Sequence, residues 1–547
     1  MTAAIHFEGD AFTIPQQKPM GRNYAGFGFL SAFSRHASAE TVTGFVKNEA
    51  AGQQFKAEVA RHAPSRKADF VTAQRMSGLR DVGCLFTPSI INASQVWERH
   101  LHGPRSWSIT GVNHTLSSAR VMDALTSFPT LPFQPWDALI CTSTASRDVV
   151  TRLLQRQAEH LARHLGATRF PLPKLPVIPL GVNCDERSGN AVGRPNARAA
   201  LNIGPDDIVV LFLGRLSFHA KANPIPMYLA LERLSARHRV VLIECGWFAN
   251  SSIEKAFEEA RAELCPSVRS IVLDGRKQEA SAQAWAAADI FCSLSDNVQE
   301  TFGLTPIEAM AAGLPVVVTD WDGYKDTIRN GVDGFTIPTI SASPGVGFPA
   351  AVRHALDIDS YDVYIGHTST GTSVDIDATA EAFDKLASNP DLRQRMGAAG
   401  AARARETYDW KVIVRSYERL WDELAALRNE GADNQERLKA WPARPDPFDL
   451  FAKFPTETLS PTHIVRADPA LDAAAATQRL QLKASAMQVF RRMPEKELLA
   501  FWQRLAGGEA TVGDILQKEP MQDKSALVHA IVLLTKIGLL KISSPAQ

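Results

Sequence analysis

The chain has 547 residues, with 59 Lys+Arg against 59 Asp+Glu, 45% hydrophobic and 22% charged. That length exceeds what one hydrophobic core holds, so two or three domains are expected in an otherwise ordinary globular composition. The balanced charge excludes a chain-wide pull toward nucleic acid or an anionic membrane, so any basic site has to be local.

The opening "MTAAIHFEGD" lacks a basic region followed by an apolar stretch, so no signal peptide is expected. No run reaches the ~18 apolar residues of a spanning helix. Six cysteines show no CxxC and no metal-ligand spacing, and most sit in apolar runs such as "DALIC" and "DIFCSL". Small buried hydrophobes in a reducing cytoplasm fit that pattern, with any membrane contact peripheral, at the inner face.

In chain order, "AIHFEGDAF", "ETVTGFV", "VGCLFTPS", "SWSITGVN" and "DALICTS" read as strands within residues 1–185. Between them "EAAGQQFKAEVARHA", "ASQVWERHL" and "RDVVTRLLQRQAEHLARHL" read as helices. Such alternation implies a parallel sheet covered on both faces. After the Pro/Gly/Asn-rich stretch 174–195 the pattern restarts, with strands "DIVVLFLGRLSF", "RVVLIECG", "RSIVLDGR", "ADIFCSLS", "LPVVVTD" and "DGFTIPT". This second α/β domain, 186–428, ends in the helix "VIVRSYERLWDELAALR". Two such halves in tandem place a cleft between them, with ligands at the carboxyl ends of strands. Residues 429–470 are polar and Pro-rich and read as a linker; 471–547 read as a small, mostly helical, winged-helix-like module.

Within "QETFGLTPIEAMAAGLPVVVTD", residues 299–320, Glu300 and Glu308 flank a helix start. Thr305 suits an N-cap, Pro306 the first helical position and Glu308 the matching acid of a capping box. That accounts for Glu308 without any ligand, but not for Glu300 in its Phe-Gly turn. A glycine beside a helix N-terminus offers free N–H groups and positive dipole to an anion. Glu300 beside such a site then needs hydroxyl donors, as a sugar supplies. Upstream, "LFLGRLSFHAKANP" ends a strand at Gly214 and places Arg215 and Lys221 in the following loop. Arg by bidentate contacts and Lys as a point charge can neutralise a diphosphate, although two surface cations on a solvated loop would read the same way.

Together these stretches resemble the retaining nucleotide-sugar glycosyltransferases of family 4, which have the GT-B fold. Glu300-Thr301-Phe302-Gly303-Leu304 and Pro306 to Val316 match that family's long pattern, and 389–421 is similar to its closing segment, whose last helix crosses back onto the first domain. The resemblance implies two Rossmann-like doubly wound domains facing a cleft: an acceptor domain, 1–185, and a nucleotide-sugar domain, 186–428. It implies that Glu300 contacts donor-sugar hydroxyls, that Thr301, Phe302, Gly303 and Leu304 face the diphosphate or sugar, that Glu308 holds the ribose, and that Arg215 and Lys221 hold the diphosphate. Arg276, in "LDGRKQ", falls near the nucleobase, Gly26 and Gly28 take the place of a Gly-rich loop, and His114 lies beside the donor sugar.

The implied activity is metal-independent hexosyl transfer from a UDP- or GDP-sugar co-substrate, with no cofactor, to a hydroxyl of a glycan, lipid-linked or small-molecule acceptor. A glucan or sugar-phosphate synthase on the same scaffold is the alternative enzyme. A second class is a non-catalytic adaptor or regulator acting through 471–547. From 473 on, 10 Lys/Arg stand against 6 Asp/Glu, and the helix "KSALVHAIVLLTKIGLL" is apolar with no basic face. Protein docking or self-association is therefore expected there rather than nucleic-acid binding.

Overall fold

The computed structural model describes residues 2–15, 21–187, 190–430, 438–485, 492–518 and 523–544. It forms two compact units, Met1–Trp441 and Pro442–Gln547.

In the larger unit the first sheet comprises β1 (Ala4–His6), β2 (Thr41–Val46), β3 (Lys67–Thr72), β4 (Cys84–Thr87), β5 (Ser108–Val112) and β6 (Ala138–Ile140). The second comprises β7 (Ile208–Leu216), β8 (Val240–Phe248), β9 (Arg269–Asp274), β10 (Ile290–Ser293), β11 (Val316–Thr319) and β12 (Gly334–Ile337). Their orders are β3-β2-β1-β4-β5-β6 and β12-β11-β10-β7-β8-β9, all parallel. Both are the same doubly wound topology, whose order reverses beside the first strand and opens a crevice there. Strands such as β7 and β8 are near-continuous apolar runs because helices cover both faces. One strand, β3, was not expected. Its exposed Lys67 and Asp69 mark an edge strand whose polarity hides it.

The helix Trp410–Asn429 crosses back as the resemblance implied. Trp410, Tyr417 and Trp421 are buried in the core of the first domain with Phe29, Phe33 and Phe86. Tyr417 meets Phe86 edge-on at 5.4 Å and Trp421 meets Phe33 at 5.6 Å. This packing makes the two Rossmann-like domains one unit.

Three stretches differ from expectation. Residues 21–36, where the resemblance puts a Gly-rich loop and the residues alone read equally as a loop and helix start, form the helix Gly21–His36. Residues 360–377, whose polar, acidic composition reads as a solvated loop, belong to an inserted hairpin: β13 (Thr339–Ser341) pairs antiparallel with β14 (Thr372–Val374) and encloses the helices Phe348–Ala355 and Tyr361–Thr370. The linker expected over 429–470 contains β15 (Ile464–Ala467), central in an antiparallel sheet with β16 (Glu509–Thr511) and β17 (Leu540–Ser543). The smaller unit therefore begins before residue 471. In it the apolar helix Lys524–Lys536 buries Leu527, Ala530, Ile531 and Leu534 against Val465, Phe501 and Trp502. The burial that argued for a docking partner is supplied internally.

Candidate functional site

A cleft of about 340 Å³ opens at the carboxyl ends of β7, β8 and β9, between the two sheets. Gly21, Arg22, Tyr24, His114 and Thr115 line it from the first domain; Arg215, Lys221 and residues 299–305 line it from the second. It therefore sits at the order reversal of the second sheet, where β7 adjoins β10.

Arg215 stands in β7 itself, one residue from its end at Leu216 and not in the loop as expected, while Lys221 lies in the loop beyond, which turns back at once, its N–H donating to the Ser217 carbonyl at 3.0 Å. Arg215 is mostly buried; its Nη2 donates to the Ala220 carbonyl at 3.1 Å and to Gln299 Oε1 at 2.6 Å. Burial lowers its pKa, opposed by Asp362, Tyr361 and Glu300 nearby. Lys221 forms an ion pair with Glu300 whose side chains are 18% and 17% exposed. Burial pushes Glu300 upward, but Lys221 and the Thr301 and Phe302 N–H groups outweigh it, so its pKa lies below the usual carboxylate range. Glu300 is thus held as a carboxylate by Lys221 and its backbone donors.

The helix beyond is Leu304–Ala311, and Gly303, at φ +85°, is its N-cap with no side-chain cap. A Cβ on Gly303 would fall 2.0 Å from the Tyr324 ring, so only glycine fits. This corrects the capping-box expectation. The helix starts two residues before Thr305's expected first turn, so Glu308 is its fifth residue and lines the cleft instead of capping. Thr305 also lines the cleft, and its Oγ1 is buried with no hydrogen-bond partner among the described residues. Thr115 Oγ1 is orphaned in the same way on the opposite wall. Buried hydroxyls left unpaired are costly, and two facing one cleft mark places a ligand would satisfy. A sequence offers no signal that separates them from other threonines.

Three glycines form the floor. Gly214 and Gly246 are register partners on β7 and β8, and a Cβ on Gly246 would lie 1.9 Å from the Gly214 carbonyl oxygen. Gly275 abuts Gly246 at 3.0 Å on the same measure, and all three line the cleft. Bare backbone there lets a flat group approach closely.

His114 lines the first-domain wall. Its Nε2 lies 3.1 Å from the Pro88 carbonyl oxygen, which only accepts, so Nε2 carries the hydrogen and Nδ1 the lone pair. Burial brings its pKa down to about 4, so the ring is neutral at ordinary pH. Its carbonyl accepts from Thr301 Oγ1 at 2.8 Å, and Ser143 Oγ donates to the Thr301 carbonyl at 2.8 Å. The Glu300 turn is thereby pinned to the first domain.

Three expected residues lie elsewhere. Gly26 packs against Ala11 and Gly28 against the Trp410 ring, where a Cβ would stand 2.0 and 2.9 Å from its neighbours. They are helix-packing glycines, and the cleft-facing residues of that helix are Gly21, Arg22 and Tyr24. Arg276 folds back on Asp274, with Nε at 2.8 Å and Nη2 at 2.9 Å, and its neighbour Gly275 takes the place in the cleft. Among the described residues no group of three or more His, Cys, Asp or Glu is placed to hold a metal ion. No helix there is long and apolar enough to cross a membrane. All six cysteines are free and buried.

The family model described as "Glycosyl transferases group 1" matches residues 193–343. A D-inositol 3-phosphate glycosyltransferase of Streptomyces scabiei is 29% identical over 56% of this chain and 60% of its own. A phosphatidyl-myo-inositol mannosyltransferase of Mycobacterium leprae is 28% identical over 45% of this chain and 53% of its own. The chain thus spans little more than half the length of these relatives. A solved glycosyltransferase of Rickettsia africae superposes with a TM-score of 0.50 at 14% identity, over 78% of this chain and all of its own. The chain resembles group 1 glycosyltransferases, and its larger unit has their GT-B fold.

Proposed function

We propose that this protein is a retaining glycosyltransferase, transferring a hexose from a nucleoside-diphosphate sugar to an acceptor hydroxyl without a metal ion. The observation that carries the reading is the convergence of Arg215, Lys221, Glu300 and an uncapped helix start in one interdomain cleft. The diphosphate lies against Arg215, Lys221 and the free N–H groups around Gly303, where the Thr305 hydroxyl gains a partner. Glu300 accepts from sugar hydroxyls, Glu308 from the ribose, and the base rests on the Gly214–Gly246–Gly275 floor.

As the glycosidic C–O bond breaks, negative charge grows on the β-phosphate, and cations already in place stabilise it. The acceptor oxygen bonds to the anomeric carbon on the face the phosphate is leaving. Its proton passes to a phosphate oxygen, so no side-chain nucleophile is needed. Neutral His114 serves as a hydrogen-bonding group rather than a charge. The relatives' names give inositol 3-phosphate and phosphatidyl-myo-inositol, which favours a phosphorylated polyol or its lipid as acceptor. Arg22 and Thr115 are the first-domain groups that would meet its phosphate.

A thermal-shift panel tests this. UDP, GDP and their sugars should raise the transition of the larger unit by mass action, with one nucleotide preferred. No shift from any of them at millimolar concentration would refute the donor site.

A further inference from the structure

The inserted hairpin reaches the Arg215 end of the site through Tyr361 and its neighbour Asp362. Tyr361 is the first residue of the helix Tyr361–Thr370, whose start is fixed by the Ser360 hydroxyl accepting from the Val363 N–H at 3.3 Å. The far end of that helix lies against the second domain, where Ser369 stands beside buried Asp296. Tyr361 is therefore held from behind at the start of that helix.

Its hydroxyl has two partners on opposite sides. Ser117 Oγ, on the first domain, lies 2.7 Å away. Gln299 Nε2, beside the Glu300 turn, lies at 3.3 Å and can only donate. The phenolic oxygen therefore accepts from Gln299, while in the Ser117 pair either hydroxyl can donate. The orientation of the Gln299 amide follows: its nitrogen points to Tyr361, and its oxygen accepts from Arg215 Nη2 at 2.6 Å. The Gln299 N–H also donates to Asn297 Oδ1 at 3.0 Å, and Asn297 Nδ2 donates to the Lys221 carbonyl at 2.8 Å. A continuous chain thus runs from the first-domain wall, through the hairpin, to Arg215 at the end of β7 and the loop beyond it that carries Lys221.

We propose that Tyr361 is a positioning residue, which through Gln299 holds the Arg215 guanidinium in place for a diphosphate and through Ser117 ties that placement to the first domain. The proposal rests on the donor-site reading above. An arginine on a flexible stem loses rotamer freedom whenever it grips a ligand, and a partner that orients it beforehand reduces that cost. The hairpin that brings Tyr361 also contributes Asp362, whose charge favours protonated Arg215.

The test is a cycle on the full chain, titrating UDP and GDP into wild type, Tyr361→Phe, Arg215→Ala and the double variant, with uridine and guanosine as diphosphate-free controls. Phe keeps the ring and its packing, so the fold should persist. Tyr361→Phe should weaken diphosphate binding about fivefold, the loss expected for one hydrogen-bonded link. It should leave nucleoside affinity unchanged and weaken the Arg215→Ala chain by less than about twofold, because the guanidinium it positions is gone. Ser117→Ala should weaken the diphosphate in the same direction. An unchanged diphosphate affinity in Tyr361→Phe, or an equal loss in both Arg215 backgrounds, overturns the positioning role. Failure of the wild-type chain to bind either diphosphate overturns the donor site itself, and that outcome is distinct from a wild type that binds while Tyr361→Phe binds equally well.

Discussion

Lys221→Ala removes the counter-charge of a carboxylate that the fold keeps ionised. Glu300 would keep its Thr301 and Phe302 N–H donors but stand in a pocket where its side chain is 17% exposed. Breaking one side of a buried pair costs about 3–5 kcal/mol, and the remaining donors and partial exposure reduce this here to about 2 kcal/mol. Glu300→Gln on that background removes the orphan charge and should restore about 1 kcal/mol or more. Ligand binding should respond differently. Each Lys221→Ala chain loses a charge-assisted contact of about 2 kcal/mol and should hold UDP or GDP about 30-fold more weakly, whether or not stability returns. Thermal denaturation with and without nucleotide reads both effects on the four chains of the cycle. The sign with pH follows from the depressed Glu300 pKa. Its contribution is present above the unfolded value near 4.3 and disappears as pH falls through the lower folded one, so the wild-type advantage should shrink below about pH 4. Equal stability of the single and double variants, or undiminished nucleotide affinity in Lys221→Ala, would refute the reasoning.

Gly246→Ala should lower the melting temperature, since its Cβ would meet the Gly214 carbonyl at 1.9 Å and overpacking costs about 1–3 kcal/mol; nucleoside affinity, measured by titration, should fall with it. Thr305→Val should leave ligand-free stability nearly unchanged or higher, because the lost hydroxyl has no partner, while diphosphate affinity drops severalfold in the same titration. His114, with its pKa brought down to about 4, resists a proton that the unfolded chain accepts from about pH 6.5 downward, so wild-type stability should fall between those values. His114→Gln should flatten that part of the stability–pH curve, and the wild-type rate profile should show no His114 titration from pH 5 to 8.

Much of the site was legible because its pieces lie close together in the chain. Residues 299–320 carry the turn, the helix and the following strand, and Arg215 and Lys221 mark the end of one unmistakable apolar strand. The uncertain parts were those where one residue type serves two ends. Gly26 and Gly28 let helices approach Ala11 and Trp410, while Gly214, Gly246 and Gly275 bare a cleft floor, and nothing local separates these uses. Glu308 read as a cap because Thr305 and Pro306 form a good start signal, yet Gly303 at positive φ begins the helix earlier. Arg276 read as a base contact because its fork toward Asp274 depends on a turn that only the three-dimensional path reveals. Tyr361 was invisible for a plainer reason: its partners Ser117 and Gln299 are distant in sequence, in a hairpin whose polar composition reads as loop.

Release of nucleoside diphosphate from UDP- and GDP-sugars by the purified chain, with and without inositol phosphates as acceptors, tests the central claim most directly. The expected result is release from one sugar nucleotide class, increased by an acceptor and reduced at least a hundredfold in Glu300→Ala, an effect of about 3 kcal/mol. Release from none of them by a folded chain, or release that Glu300→Ala leaves intact, would contradict the account.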